Sequence, residues 1–173
     1  MDKFTKTNKL VAFTDVTGFT KAVEKKSLEA VAQFIAEYYR FIGEVIEQNG
    51  GEVIKFIGDA ALIVFDEENT DTGVKALVSC KQKIDAWLKK QGLTSQVHIQ
   101  CHCGEVMYGD FSYSSRVMND VIGEAVNIAA RIKSNGFAMT PQVFRKLSPA
   151  TRKLFKKHTP PVTYIPLTEY HRD

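Results

Sequence analysis

Apolar positions along the chain switch between two spacings, and the switches mark the elements. Lys9 to Thr14 read as a short apolar strand ending at Asp15. Gly18 breaks it, and a helix follows. From Leu28 the apolar positions are Leu28, Val31, Ile35, Tyr38, Ile42 and Val45. Steps of three and four put them on one face of an amphipathic helix. Asn49-Gly50-Gly51 closes it, because a left-handed residue after the last turn favours Gly or Asn. Glu52 to Ile57 and Ala60 to Phe65 then read as a hairpin about Gly58-Asp59, with Gly at the first central position as a type II′ turn requires. The arm Ala60 to Phe65 is apolar on both faces, which places it inside a sheet.

The spacing predicts a second long helix from Asp71 to Gln91, with Val74, Leu77, Ile84 and Leu88 inward and Trp87 in the core. Gln96 to Cys103 alternates as a strand. Gly104 to Phe111 gives another, with Gly109 at a bulge or a close approach. The polar stretch Asp110 to Asn119 reads as a hairpin arm. Val121-Ile122-Gly123 leads into a helix over Glu124 to Asn135, closed by Gly136. Phe137 to Met139 is a short strand. Thr140-Pro141 and Ser148-Pro149 each read as a cap with Pro at the first helical position. Pro160-Pro161 precedes a last strand, Val162 to Tyr170. Strand, helix, hairpin, helix, strand is the order of a split βαβ, ferredoxin-like α/β (α+β) core with an antiparallel-rich sheet flanked by helices and additions at the C-terminal end. With 173 residues the chain is expected to form a single domain.

Composition narrows the function classes. The balance of 44% hydrophobic and 25% charged residues suits a filled core. A net charge of +3 is too small to argue for nucleic acid. No apolar run approaches the length of a membrane span, and the first residues carry no apolar signal segment. Three cysteines are too few, and odd in number, for a disulfide framework, so a reduced, cytoplasmic setting is expected. His98, Cys101, His102 and Cys103 lie on one strand, but alternation puts the thiols on one face and the imidazoles on the other, which argues against zinc. Arg145, Lys146, Arg152, Lys153, Lys156 and Lys157 read as a solvated helix face.

The chemistry begins with Asp15 and Asp59, each on a turn at the end of an apolar strand. A carboxylate there is costly without a positive partner. Two on adjacent strands would repel unless a divalent cation lay between them, as in enzymes that hold Mg²⁺ against a polyphosphate. The plainer reading makes each a turn residue. Asn127 and Arg131 sit four apart on the 124–135 helix and share a face, away from Ala125, Ile128, Ala129 and Ile132. An Asn inside a short helix needs a compensating partner, and Arg suits phosphate through its forked donors.

Three blocks carry a resemblance: Val11 to Thr20, Gly50 to Ala60, and Asp120 to Arg131. They resemble the catalytic domain of class III nucleotidyl cyclases, the adenylyl and guanylyl cyclase family. A fourth block, His102 to Gly109, resembles the strand between them. The likeness covers roughly residues 9 to 147, in the family's order. It implies that Asp15 and Asp59, with the Val16 carbonyl, bind two ions of Mg²⁺ or Mn²⁺. Backbone N–H groups from Thr17, Gly18, Phe19 and Thr20 would cradle the β- and γ-phosphates, Lys55 and Asp120 would read the base, and Asn127 and Arg131 would stabilise the transition state. It also implies a head-to-tail homodimer, the metal set from one subunit and the other pairs from its partner.

The implied reaction is attack of a ribose 3′-OH on the α-phosphorus of the same nucleotide, with pyrophosphate leaving. A Lys donor and an Asp acceptor match N1 and N6 of adenine, whereas guanine's protonated N1 would set donor against donor at Lys55. ATP is therefore the expected substrate, and 3′,5′-cyclic AMP the product. Two other readings stay open: a cyclase for GTP or a pyrimidine nucleotide, and a cyclase-like binding module without catalysis. Gly50-Gly51-Glu52-Val53 is similar to the turn of diguanylate cyclases, but it opens a strand here, and those enzymes lack the Asn127/Arg131 helix. The arm Asp110 to Arg116 lacks the glycine the family often has, and the C-terminal strand lacks its usual Lys-Gly approach.

Overall fold

A computed structural model describes residues 3–171. Eight strands form one sheet. They are β1 (Phe4–Val16), β2 (Gly51–Ile57), β3 (Ala60–Asp66), β4 (Val97–Asp110), β5 (Asn119–Ile122), β6 (Phe137–Met139), β7 (Phe155–His158) and β8 (Thr163–Pro166). The order is β2-β3-β1-β4-β6-β8-β7, with β5 paired to the distal end of β4. The first four strands are antiparallel to their neighbours in the ferredoxin-like order, and β6 joins β4 in parallel.

The helices are α1 (Phe19–Val23), α2 (Leu28–Glu47), α3 (Thr70–Lys90), α4 (Glu124–Arg131), α5 (Pro141–Phe144) and α6 (Pro149–Arg152). Strand alternation splits the core in two. Leu10, Ala12, Ala61, Ile63, Phe65, Ile99 and Cys101 point under α2 and α3, into a large cluster with Tyr38, Ile42, Ile46, Leu77 and Ile84. Val11, Leu62, Val64 and Val106 point the other way, into a small buried cluster with Val121 of β5 and Ala125 and Ala129 of α4, edged by the half-buried Phe13, Ile54, Tyr108 and Val126. One face is thus deeply covered and the other thinly.

Several boundaries differ from expectation for tertiary reasons. β1 runs from Phe4 past Asp15 to Val16, because each of its residues pairs with β4, from Phe4 opposite Gly109 to Val16 opposite Val97. The two strands expected on either side of Gly104 are one, β4. The glycine is there for α4: a Cβ would stand 2.9 Å from that of Ala125. On α2 the buried stripe is Phe34, Tyr38, Ile42 and Ile46, and Leu28 is 85% exposed. α4 stops at Arg131, since Ile132 turns extended on the way to β6. The C-terminal strand expected over Val162 to Tyr170 shortens to β8, which forms a hairpin with β7 ahead of it. Lys156 and Lys157 therefore lie on an edge strand and not a helix face, where lysine discourages pairing with another sheet.

Candidate active site

β1 carries Asp15 at its C-terminal end, on the thinly covered face. The β2–β3 hairpin carries Asp59. Gly58 takes φ 61° and Asp59 stays at negative φ, as a type II′ turn demands. Tyr39 of α2 fixes this tip: its hydroxyl donates to Gly58 O at 2.7 Å, and its ring stacks on Phe56 at 3.8 Å. Val16 N–H donates to Asp59 Oδ2 at 3.2 Å, tying the hairpin to the end of β1.

The two carboxylates meet. Burial, then the negative charge of Asp59 and a hydrogen bond with it, push the Asp15 carboxyl above its usual range, against a smaller opposing pull from the Val16 backbone. Neither carboxylate has an ion-pair partner among the described residues. Two like charges held together with no cation beside them form an incomplete electrostatic arrangement. Hard divalent cations take such oxygens, so the donor set fits the expected ions. The described residues hold no group of three or more His, Cys, Asp or Glu placed to hold a metal ion together, so any further donors would be backbone oxygens or the ligand's own.

After β1 the chain turns at Gly18, with φ 63°, into the five residues of α1. Phe19 anchors the turn by packing on Phe34, ring to ring at 5.7 Å. Thr17 N–H is already spent on Gln96 O at 2.9 Å. Of the four N–H groups expected to cradle phosphate, that of Thr17 is thus engaged within the chain.

Lys55 and Asp120, 65 residues apart, meet: Lys55 Nζ lies 2.5 Å from Asp120 Oδ2. A register shift between Val53 and Lys55 re-aims this part of β2. Asp120 is buried on β5, and its other oxygen accepts from Val121 N–H at 2.8 Å. Asn127 and Arg131 lie on the exposed side of α4, opposite Ala125 and Ala129, and neither side chain has a partner among the described residues. The mid-helix Asn thus has no compensating partner among the described residues.

A cavity of about 450 Å³ opens beside Asp15, walled by Phe13, Ala60, His98, Gln100, Ile132 and Lys133 among others. None of Lys55, Asp120, Asn127 or Arg131 lines it. His98, Gln100 and Lys133 escaped the sequence reading as site residues. His98 lies directly across from Asp15 on β4, and its Nε2 is 2.5 Å from Thr17 Oγ1. Burial, then the positive charges of Lys81 and His171, hold its pKa down, against smaller opposite pulls from Asp85 and Glu169. The signal that would have found it is the β1–β4 register, which no local pattern reveals. The strand's thiols face away: Cys101 and Cys103 are buried under α3, and burial pushes Cys103 up to about 11.

A family model described as the adenylate and guanylate cyclase catalytic domain matches residues 3–159. An adenylate cyclase of Anabaena cylindrica is 31% identical over 131 residues, 71% of this chain and 26% of that protein. Adenylate cyclase 1 of Rhizobium meliloti is 25% identical over 130 residues, 70% of this chain and 20% of its own length. The chain thus spans about a quarter or less of these relatives. Among solved structures, a bacterial light-regulated adenylyl cyclase superposes with TM-score 0.81 at 22% identity, over 96% of this chain and 53% of that one. The adenylyl cyclase CyaB from P. aeruginosa gives 0.80 at 16% identity, over 98% of each chain. The guanylyl cyclase Cya2 gives 0.77 at 18%, over 94% of this chain and 92% of that one. These likenesses to solved structures bear on the fold.

Proposed function

Because the chain belongs to the adenylate and guanylate cyclase catalytic-domain family, we propose that it converts ATP to 3′,5′-cyclic AMP and pyrophosphate at sites completed by a second copy of itself. The observation that carries this reading is the meeting of Asp15 and Asp59 at one end of the thinly covered face, without a cation of their own. These carboxylates, with the Val16 carbonyl, would hold two ions of Mg²⁺ or Mn²⁺. The ions would activate the 3′-OH and neutralise charge on the departing pyrophosphate.

The other residues bind, orient and stabilise. The N–H groups of Gly18, Phe19 and Thr20 meet phosphate oxygens. Lys55 donates to adenine N1 and Asp120 accepts from its amino group, exchanging the contact they now make with each other for contacts to the base edge. A buried donor facing the protonated N1 of guanine would be left unpaired, a mismatch that discriminates by roughly 10⁴-fold. Arg131 meets the negative charge that grows at the α-phosphate, and Asn127 holds the ribose so that its hydroxyl lies near the phosphorus.

A second copy is part of the reading because one protomer supplies only half of each site. The cavity at Asp15 contains neither base-reading nor transition-state residues of the same chain. Ile57 beside Asp59, and Ile122 beside Asp120, are exposed apolar side chains next to the two halves. The partner's β5 and α4 would bring the missing pairs in a head-to-tail arrangement.

Incubating the protein with Mn²⁺ and each of the four nucleoside triphosphates, and identifying products by mass, tests the reading. Cyclic AMP as the main product is expected. Cyclic GMP or a cyclic pyrimidine as the main product would move the substrate elsewhere, and no cyclic product from a verified dimer would remove the activity.

A further inference from the structure

The far wall of the Asp15 cavity is the short extended stretch between α4 and β6, which contributes Ile132, Lys133, Ser134 and Asn135. Lys133 is exposed and has no hydrogen bond or ion pair among the described residues. The backbone that follows it, by contrast, is braced. Ser134 Oγ donates to Gly136 O at 3.2 Å and accepts from Gly136 N–H at 3.2 Å. Phe137 N–H donates to Glu169 Oε2 at 2.8 Å. His171 bridges the two, 3.3 Å from Ser134 Oγ through Nδ1 and 2.8 Å from Glu169 Oε2 through Nε2. Gly136 leaves no room: a Cβ there would stand 2.1 Å from Glu169 Oε2. The segment from Pro166 to His171 thus straps the stretch in place. What is left over is one unpaired ammonium in the wall of the cavity that holds Asp15.

A nucleoside triphosphate in this cavity brings more negative charge than the two carboxylates and their ions cancel locally, and a lysine is a compact point charge suited to phosphate oxygens. We propose that Lys133 binds the β- and γ-phosphates of the nucleotide held by Asp15 and Asp59 of the same protomer. The assignment rests on the cyclase reading for its substrate, but its geometry stands on the shared cavity alone. It is specific about sides: Lys133 acts with the metal carboxylates of its own chain, whereas Asn127 and Arg131 act on the partner's nucleotide.

The direct test is calorimetric binding of inorganic tripolyphosphate in the presence of Mn²⁺. Lys133→Ala is expected to weaken it about tenfold, the size of one charge-assisted contact. Lys133→Arg should recover most of the loss, and Lys90→Ala, on the far side of α3, should change nothing. Equal affinity in wild type and Lys133→Ala overturns the proposal, as does a wild type that does not bind tripolyphosphate. In mixed dimers of Asp59→Ala and Arg131→Ala, adding Lys133→Ala to the Arg131→Ala protomer should raise KM for ATP. Adding it to the Asp59→Ala protomer should not, and the reverse result overturns the same-protomer assignment. Cyclic AMP formation with unchanged tripolyphosphate affinity in Lys133→Ala would sink only the lysine's role. Lys133-dependent tripolyphosphate binding without any cyclic product would sink only the cyclase reading.

Discussion

The two faces of the sheet are built to different ends. The charged groups at the start of α3 are answered within the chain. Asp71, at the start of α3, is the clearest case. Burial alone would push its carboxyl up, but hydrogen bonds from Lys75, the Ser148 backbone, Thr151 and Ser148 outweigh that and hold it at about 2. On the opposite face Asp15 has a second carboxylate where Asp71 has a lysine, and its carboxyl is pushed up. One carboxylate is satisfied by its own chain and ties α3 to α6; the other faces a second negative charge. Apolar cover follows the same division, with a large cluster on one side and seven buried residues on the other. The lesson is that this fold concentrates its apolar burial on one face and leaves the second, where the proposed site lies, thinly covered.

The contrast is easiest to break on the open face. Asp59→Ala or Arg131→Ala should each cut cyclase activity roughly 10²-fold or more. Neither should lower the thermal midpoint as far as a core substitution does, because Asp59 gives up one hydrogen bond from Val16 N–H and Arg131 is exposed with no partner among the described residues. A drop in midpoint comparable to a core mutation would mean that the open face is structural after all. On the closed face the expectation reverses. Leu77→Ala removes a fully buried side chain and should cost about 2–5 kcal/mol of stability by denaturant titration. The folded fraction should keep its turnover.

A smaller effect sharpens the comparison through pH. A depressed carboxylate stabilises the fold above its ordinary pKa and loses that contribution as it protonates. Asp71→Asn should therefore lower the melting temperature at neutral pH, with the gap closing as pH falls from 3.8 toward about 2. A raised carboxylate works the other way, and its cost appears as pH rises through its folded pKa. With divalent cations chelated, Asp15→Asn should raise the melting temperature at neutral pH, and the gain should vanish below 3.8. Melting curves across pH check both, and a change of the same sign in the two variants at neutral pH would erase the distinction between the carboxylates.

The ferredoxin-like order was legible in the sequence because each unit of it is local. The hairpin at Gly58-Asp59 and the long helices carry their own period and punctuation, and α2 and α3 were found within a residue or so of their ends. The site pairs Asp15/Asp59 and Lys55/Asp120 were legible through resemblance, and the structure brings each pair together. What escaped depends on contacts across the chain. β7 looked like part of a basic helix until β8 paired with it. The α4 helix was read four residues too long because Ser134 and Asn135 give no stop signal. Ile132 turns extended there, and Glu169 and His171 brace the stretch that follows. Thr17 N–H looked free until the end of β4 supplied Gln96 O. His98 and Lys133 enter the cavity only through register and loop path.

The central claim is that each open face is half of a site and a second copy supplies the rest. Mixing Asp59→Ala protomers with Arg131→Ala protomers tests it most directly, since one of the two sites in a mixed dimer regains a full set of residues. With random exchange about half the dimers are mixed and half of their sites repaired, so roughly a quarter of wild-type cyclic AMP formation is expected from two variants that are inactive alone. A mixture that stays inactive while mixed dimers are shown to form would contradict the shared site.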